Sequence, residues 1–234
     1  MRGKTVYVLC AILAVEKQGD SLARAEKMPG WRNGFMYFTC ESSRLEDYLC
    51  EHEVVNFSHP LIEDTIFQLQ TEGEPETECV KKSFEFVRDR INHSWDIQSS
   101  QVTCIASDVL AYKEGLCYAK SHLLAAILRA QGIPTGFCYQ RLALGETSEE
   151  GHVLHGLNAV YLASEERWIR LDARGNKPGL QAEFSTGEEK IAYIVRPELA
   201  EIDYPTIYAR PHPVVVNALQ EQDDCLHIIL PDHL

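Results

Sequence analysis

The chain has too few basic side chains to bind nucleic acid through charge. Its 234 residues include 22 lysines and arginines against 35 aspartates and glutamates, and the formal net charge is -13. A protein this acidic is repelled by a phosphate backbone and by an anionic membrane surface. We therefore expect no nucleic-acid partner and no membrane partner.

The sequence also lacks a hydrophobic run long enough to span a bilayer. The apolar run over residues 6–15 follows Arg2 and Lys4, as in a secretory signal, but it is much shorter than the ~20 residues of a membrane-spanning helix. Charged residues follow it at once, which favours the cytoplasm and leaves export as the alternative. We expect an N-terminal extension over residues 1–35, with translation from Met28 or Met36 as a further alternative, and one domain over 36–234.

No two of the eight cysteines have the Cys-x-x-Cys spacing of a metal or redox pair. They are spread over a chain long enough to bury a core, so they predict thiols in a reducing compartment and not a disulfide scaffold. His152 and His155 are three residues apart, and on a strand such residues face opposite sides. The sequence therefore predicts no metal and no cofactor.

Helical periodicity dominates the first half of the chain. Val80, Phe84, Val87 and Ile91 recur at helical spacing among charged residues. The clearest helix covers residues 117–131, is apolar on most sides, and should end at Gly132. We expect this helix to be central and buried.

The second half changes to the periodicity of strands. Helices followed by strands predict an α+β fold in which an antiparallel sheet packs on the central helix. The candidate strands are residues 136–142, 153–162, 168–173 and 191–195. A proline-rich tail should follow them along the surface.

Cys117 stands at the predicted start of the central helix, directly after Gly115 and Leu116. The helix dipole and unpaired backbone N–H groups at such a position favour a thiolate. The same N–H groups can hold a developing oxyanion. Cys117 is therefore the candidate nucleophile.

A thiol nucleophile needs a base and a group that orients the base. The strands 153–162 and 168–173 are separated by a short polar turn and should form an antiparallel hairpin. If Leu162 pairs with Glu165, His155 lies opposite Asp172 on one face of the sheet, about 5 Å away between Cβ atoms. A slip of one residue would separate them.

Three stretches of the sequence resemble the transglutaminase-like superfamily. Residues 115–134 resemble its nucleophile helix, residues 155–162 and 168–172 its histidine and aspartate strands, and the likeness extends back to 86–94. The resemblance implies a papain/transglutaminase-like fold and a catalytic triad of Cys117, His155 and Asp172. It further implies an oxyanion donor about twenty residues before the nucleophile, where Trp95 and Gln98 are the candidates.

The chain departs from the family pattern beside the histidine, where Gly156 replaces a frequent tryptophan and Ala159 an acidic residue. The substrate cleft is therefore expected to have a different shape, and protein cross-linking does not follow from the resemblance. The reaction is expected on a peptide or other amide-containing substrate, by hydrolysis as in a cysteine protease or amidase because water is the default acceptor, with acyl transfer as an option. The alternative is an inactive binding or scaffold module. The oligomeric state stays open.

Overall fold

A computed structural model describes residues 31–32, 35–36 and 38–234 of the chain. Apart from its last few residues, the predicted extension over 1–35 lies outside the described residues, and so does the alternative start at Met28. Within the described part, no helix has the length and hydropathy needed to cross a bilayer.

Four of the five α-helices of the described residues lie before residue 131. Short 3-10 turns occur at Leu45–Tyr48, Ser148–Glu150 and Pro197–Leu199. The α-helices are α1 (Pro60–Leu69), α2 (Glu76–Arg90), α3 (Ala106–Tyr112), α4 (Cys117–Ala130) and α5 (Pro213–Gln220).

The longer strands follow α4. The strands are β1 (Trp31–Arg32), β2 (Phe35–Met36), β3 (Thr39–Cys40), β4 (Asn92–His93), β5 (Glu114–Gly115), β6 (Thr135–Ala143), β7 (His152–Leu162), β8 (Arg167–Leu171), β9 (Ile202–Asp203) and β10 (Thr206–Ile207). The main sheet has the antiparallel order β8-β7-β6-β9. The short pairs β1–β2, β3–β10 and β4–β5 lie outside it.

Helix α4 lies at the centre of the fold. Every residue from Cys117 to Arg129 is buried, and the helix packs against α2, α3 and both long strands β6 and β7. Gly132 ends it in a left-handed conformation with φ of 76°, as the sequence predicts. The predicted α+β fold, with a buried helix on an antiparallel sheet, is confirmed.

The sheet packs on both faces. Leu154, Val160 and Leu171 contact the cluster around α4, whereas Leu157 and Trp168 belong to a second cluster with Tyr48. Strands covered on both sides lose the polar alternation of a half-exposed strand. This explains the almost continuous burial of β6 and β7.

One local prediction is wrong. Residues 191–195 form no strand but an irregular segment. Helix α3 begins after Ile105, and Lys113 follows its last residue in a left-handed conformation. The proline-rich tail contains α5, whose first residue, Pro213, costs no hydrogen bond at that position.

Candidate active site

Cys117 is the first residue of α4. Leu116 before it is extended, and its carbonyl accepts the first helical hydrogen bond from Lys120 N–H. The N–H groups of the three residues between them therefore have no acceptor inside the helix. The thiol lies at this end of the helix and is 8% exposed.

A parallel pair of short strands fixes this entry into the helix. β4 pairs with β5, which places His93 beside Gly115. Gly115 is tightly enclosed, since a Cβ at this position would lie 2.9 Å from Thr103 Oγ1. The close packing at Gly115 and the β4–β5 pairing help to set the position of Cys117.

The predicted hairpin forms, but its register differs from the prediction. Leu162 pairs with Arg167, so the turn contains four residues. Leu162 and Glu165 are instead joined across the turn by a backbone hydrogen bond of 3.1 Å. The predicted Leu162–Glu165 pairing is therefore wrong by two residues, an even shift that preserves the sheet face.

His155 and Asp172 meet although they are not direct cross-strand partners. His155 Nε2 donates to Asp172 Oδ2 at 2.8 Å, and both side chains are buried. β8 ends at Leu171, one residue before Asp172. The backbone of Asp172 is thus not held by the pairing of β7 and β8, and its carboxylate reaches diagonally across to the imidazole.

Backbone donors complete the surroundings of the Asp172 carboxylate. Arg174 N–H donates to Oδ1 at 3.1 Å, and Ala192 N–H donates to Oδ2 at 3.1 Å. Burial by itself raises the pKa of Asp172, but the charge of His155 and these hydrogen bonds outweigh it and lower the pKa. The carboxylate therefore stays ionised inside the protein.

His155 lies between two groups that favour its charged form. Burial lowers the pKa of His155, but the Asp172 carboxylate and the Cys117 thiol, by charge and by hydrogen bonding, raise that pKa to about 10. Since Nε2 is bonded to Asp172, Nδ1 is the atom left for Cys117. The geometry favours an imidazolium between the Asp172 carboxylate and the Cys117 side chain.

Lys120 ties the surrounding segments to α4. Its ammonium is fully buried and donates to the carbonyls of Ile91 at 2.5 Å, Arg174 at 2.9 Å and Arg88 at 3.3 Å. Burial lowers the pKa of Lys120 to about 7. No sequence signal marked this residue, because a lysine in an amphipathic helix usually faces water.

Tyr193 and Gln140 also border the imidazole and were not predicted. The Tyr193 ring meets the His155 ring edge to face, with centroids 4.9 Å apart. Gln140, fully buried, is the cross-strand partner of His155 on β6. Only tertiary contacts bring the irregular segment carrying Tyr193 to this place.

The two predicted oxyanion donors have other partners. The Trp95 indole N–H donates to Cys225 O at 2.8 Å, and the exposed Gln98 amide donates to Trp95 O at 2.6 Å. Both side-chain donors are thus occupied away from Cys117. The start of α4 remains the source of N–H donors in the site.

The polar turn after Asp172 stabilises the site from outside. The Arg174 guanidinium binds Asp96 through two hydrogen bonds of 2.6 and 2.9 Å, and Lys177 binds the same carboxylate. Asn176 bonds the backbone of Ala182. These side chains hold the loop in place.

His152 and His155 have separate partners. His152 Nε2 lies 2.7 Å from Leu199 O, whereas His155 is committed to Asp172. Over the described residues, no group of three or more histidine, cysteine, aspartate or glutamate side chains is arranged to hold a metal ion.

Comparison with protein families agrees with the motifs. The model of the transglutaminase-like superfamily matches residues 64–173, which include Cys117, His155 and Asp172. These residues form a transglutaminase-like core. The predicted family resemblance is confirmed, and the match extends from α1 to the residue after Asp172.

Solved structures with similarity to the chain include three of low sequence identity. One is a candidate cysteine protease from Cytophaga hutchinsonii, with 17% identity, a TM-score of 0.44, and coverage of 56% of this chain and 42% of the other. A TGase has 16% identity, a TM-score of 0.36 and coverage of 65% and 42%. A candidate protease from Parabacteroides distasonis ATCC 8503 has 13% identity, a TM-score of 0.38 and coverage of 64% and 30%.

The aligned region spans less than half the length of each of these three proteins. Comparison with curated proteins finds no match. The transglutaminase-like core supports a thiol-dependent enzyme in general terms.

Proposed function

We propose that the protein is a thiol-dependent hydrolase of an amide bond in a peptide or similar substrate, with Cys117, His155 and Asp172 as its triad. The observation that carries the proposal is the position of His155. Its Nε2 is bonded to the Asp172 carboxylate, and the Cys117 thiol at the start of α4 raises its pKa together with that carboxylate.

In the first half of the proposed reaction, the Cys117 thiolate attacks the amide carbonyl carbon and forms a C–S bond. The unpaired N–H groups at the start of α4 stabilise the oxyanion. The imidazolium of His155 then gives its Nδ1 proton to the departing nitrogen as the C–N bond breaks. An amine leaves, and a thioester remains on Cys117.

In the second half, water attacks the thioester while neutral His155 accepts one of its protons at Nδ1. The C–S bond breaks, the acid is released, and the thiolate and imidazolium are restored. Asp172 holds the Nε2 proton throughout and fixes the ring orientation. Water at ~55 M is the default acceptor unless a site excludes it, so we favour hydrolysis over acyl transfer.

The test is mass spectrometry of a mixed peptide library incubated with the full chain. Hydrolysis should produce either peptides cleaved with addition of water or side-chain amides converted to acids, and the Cys117→Ala protein should produce neither. An added primary amine that appears in the products would change the assignment to acyl transfer. Equal products from the Cys117→Ala protein would exclude Cys117 as the nucleophile.

A binding or scaffold role is the second candidate. It is favoured by the low exposure of Cys117, 8%, and by the Tyr193 ring packed against His155. A scaffold predicts that no thioester forms. Rapid acid quenching of the full chain with the peptide library, followed by intact-mass measurement, distinguishes the candidates, because only the enzyme carries an acyl group on Cys117.

A further inference from the structure

A cleft lies next to the triad on the far side of Tyr193. It has a volume of about 490 Å³, within the usual ~300–1,000 Å³ of ligand sites, and it is lined in part by Phe38, Gln140, Arg170 and Tyr193. The triad itself does not line it. Tyr193 is the link, because its ring also packs against His155.

The inner wall of the cleft has an excess negative charge. The Arg170 guanidinium is bound by two carboxylates, Asp203 at 2.6 and 2.9 Å and Glu189 at 2.6 and 2.7 Å. The exposed fractions of these side chains are 3% for Arg170, 4% for Asp203 and 20% for Glu189. One cation thus faces two anions away from water, where an unbalanced charge is costly.

Gln140 adds, beside this cluster, a polar atom that is unpaired within the described part of the chain. Its amide nitrogen donates to Asp203 Oδ2 at 3.2 Å and to Tyr193 O at 3.4 Å. Both partners are acceptors, which fixes the orientation of the amide. Gln140 Oε1 is then a buried acceptor without a donor among the described residues.

The other lining groups suit a long aliphatic side chain. Ile191, Ile194 and Val195 contribute apolar surface, and Ile194 is 87% exposed at the mouth. The outer rim has Glu183 and Lys190, which pair with each other, and the exposed Glu188. A ligand side chain with an apolar stem and a cationic, hydrogen-bond-donating end fits this cleft. Its stem would lie on the apolar residues and its charged end against the buried carboxylates.

We propose that this cleft binds the basic side chain, ammonium or guanidinium, of a peptide substrate beside the amide that Cys117 attacks. The proposal rests on the proposed function for its orientation towards the triad. The cation would balance the Arg170–Asp203–Glu189 cluster, and its N–H groups would reach the Gln140 side of the wall. The cleft would thereby select the substrate.

The experiment measures binding by calorimetry with the Cys117→Ala full chain, so that no turnover is needed. The probes are N-acetylarginine amide and N-acetylcitrulline amide, which have similar shapes but differ in charge. We expect the arginine compound to bind about tenfold more tightly at low ionic strength, with the difference shrinking as salt is added. Equal affinities of the two probes would overturn the proposal.

A variant then locates the site. Glu189→Gln should remove most of the preference for arginine, because Arg170 and Asp203 then neutralise each other. The matched control is Glu165→Gln, which removes a carboxylate bonded to Arg167 outside the cleft. An unchanged preference in folded Glu189→Gln would also overturn the proposal, and the comparison of the two probes decides if that variant does not fold.

The two proposals fail separately. If the arginine probe binds but no peptide forms a thioester with Cys117, the hydrolase proposal fails and the binding cleft remains. Peptide hydrolysis without preference for basic residues would keep the hydrolase and remove the cationic subsite.

Discussion

His155 and Asp172 are joined by a 2.8 Å hydrogen bond although the continued register of β7 and β8 would place Leu157 opposite Asp172. The contact is diagonal and depends on Asp172 lying just beyond the end of β8. The carboxylate is then held by the N–H groups of Arg174 and Ala192. Residues outside the strands therefore hold the carboxylate that orients the imidazole. The strands only place the two side chains on the same face of the sheet.

Replacing Asp172 with asparagine should lower the pKa of His155. The pKa is about 10 because the neighbouring anions stabilise the imidazolium, and Asp172→Asn removes one of them. NMR titration of His155 should show the shift, and the alkaline limb of any turnover should move to lower pH. Turnover itself should fall by about 10²–10⁴.

Asp224→Asn is the matched control for this titration. It removes a carboxylate bonded to the exposed His227, far along the chain from the site. The titration of His155 should stay unchanged in that protein. A His155 titration equally unmoved by Asp172→Asn would show that the carboxylate does not govern the imidazole.

Cys117 should be alkylated selectively by iodoacetamide at about pH 6. The start of α4 and His155 favour its thiolate, whereas burial raises the pKa of Cys104 to about 12 and that of Cys225 to about 11. Peptide mapping should find Cys117 modified before the exposed Cys50. Preference for Cys50, or no loss of selectivity in His155→Gln, would contradict the thiolate–imidazolium pair.

Lys120 should make the free energy of unfolding rise with pH. Its pKa is lowered from 10.5 to about 7 in the folded protein, so between these values the unfolded chain binds more protons. Stability therefore increases across this window, by at most about 1.4 kcal/mol per pH unit. Urea unfolding should show this increase in the native chain relative to Lys120→Met.

Lys81→Met, at a partly exposed position of α2, is the control and should keep the pH dependence of the native chain. Parallel curves for the native chain and Lys120→Met between pH 7 and 10.5 would show that Lys120 has the same proton affinity folded and unfolded.

Gly156→Ala should destabilise the fold by about 1–3 kcal/mol. A Cβ there would lie 2.8 Å from Tyr118 Cδ1, and the Tyr118 ring is fixed by burial and by a hydrogen bond from its hydroxyl to Leu154 O. Denaturant unfolding measures the loss. Gly187→Ala, whose nearest atom outside the adjacent residues would be 3.9 Å away, should change stability little.

The explanation of that loss can be checked in a double-mutant cycle. In a Tyr118→Leu background the branched side chain is smaller, so the cost of Gly156→Ala should decrease. An identical cost in both backgrounds would show that Tyr118 is not the obstacle at Gly156.

Several features could be predicted from the sequence because they depend on local order along the chain. The extent of α4 follows from the apolar periodicity that begins at Cys117 and from Gly132, which ends the helix. The shared face of His155 and Asp172 follows from strand parity, which an error of two residues in the register leaves intact. The family resemblance could be predicted because its motifs coincide with these elements.

Other features could not be predicted because distant segments decide them. Residues 191–195 have the alternation of a strand, yet Ala192 donates its N–H to the Asp172 carboxylate and Tyr193 packs on His155. Trp95 has the expected spacing for an oxyanion donor, but the carbonyl of Cys225, 130 residues later, takes its indole N–H. Residue spacing does not show which acceptor a donor binds in the folded protein.

The sequence by itself determined the central helix, the order of the three candidate groups and the face on which two of them lie. The tertiary structure decided the ionisation of His155, because its pKa depends on burial and on two side chains from separate elements, Asp172 and Cys117. It also decided the burial of Lys120 and the charge imbalance at Arg170. Secondary structure follows local periodicity, whereas charge and burial depend on which distant segments meet in space.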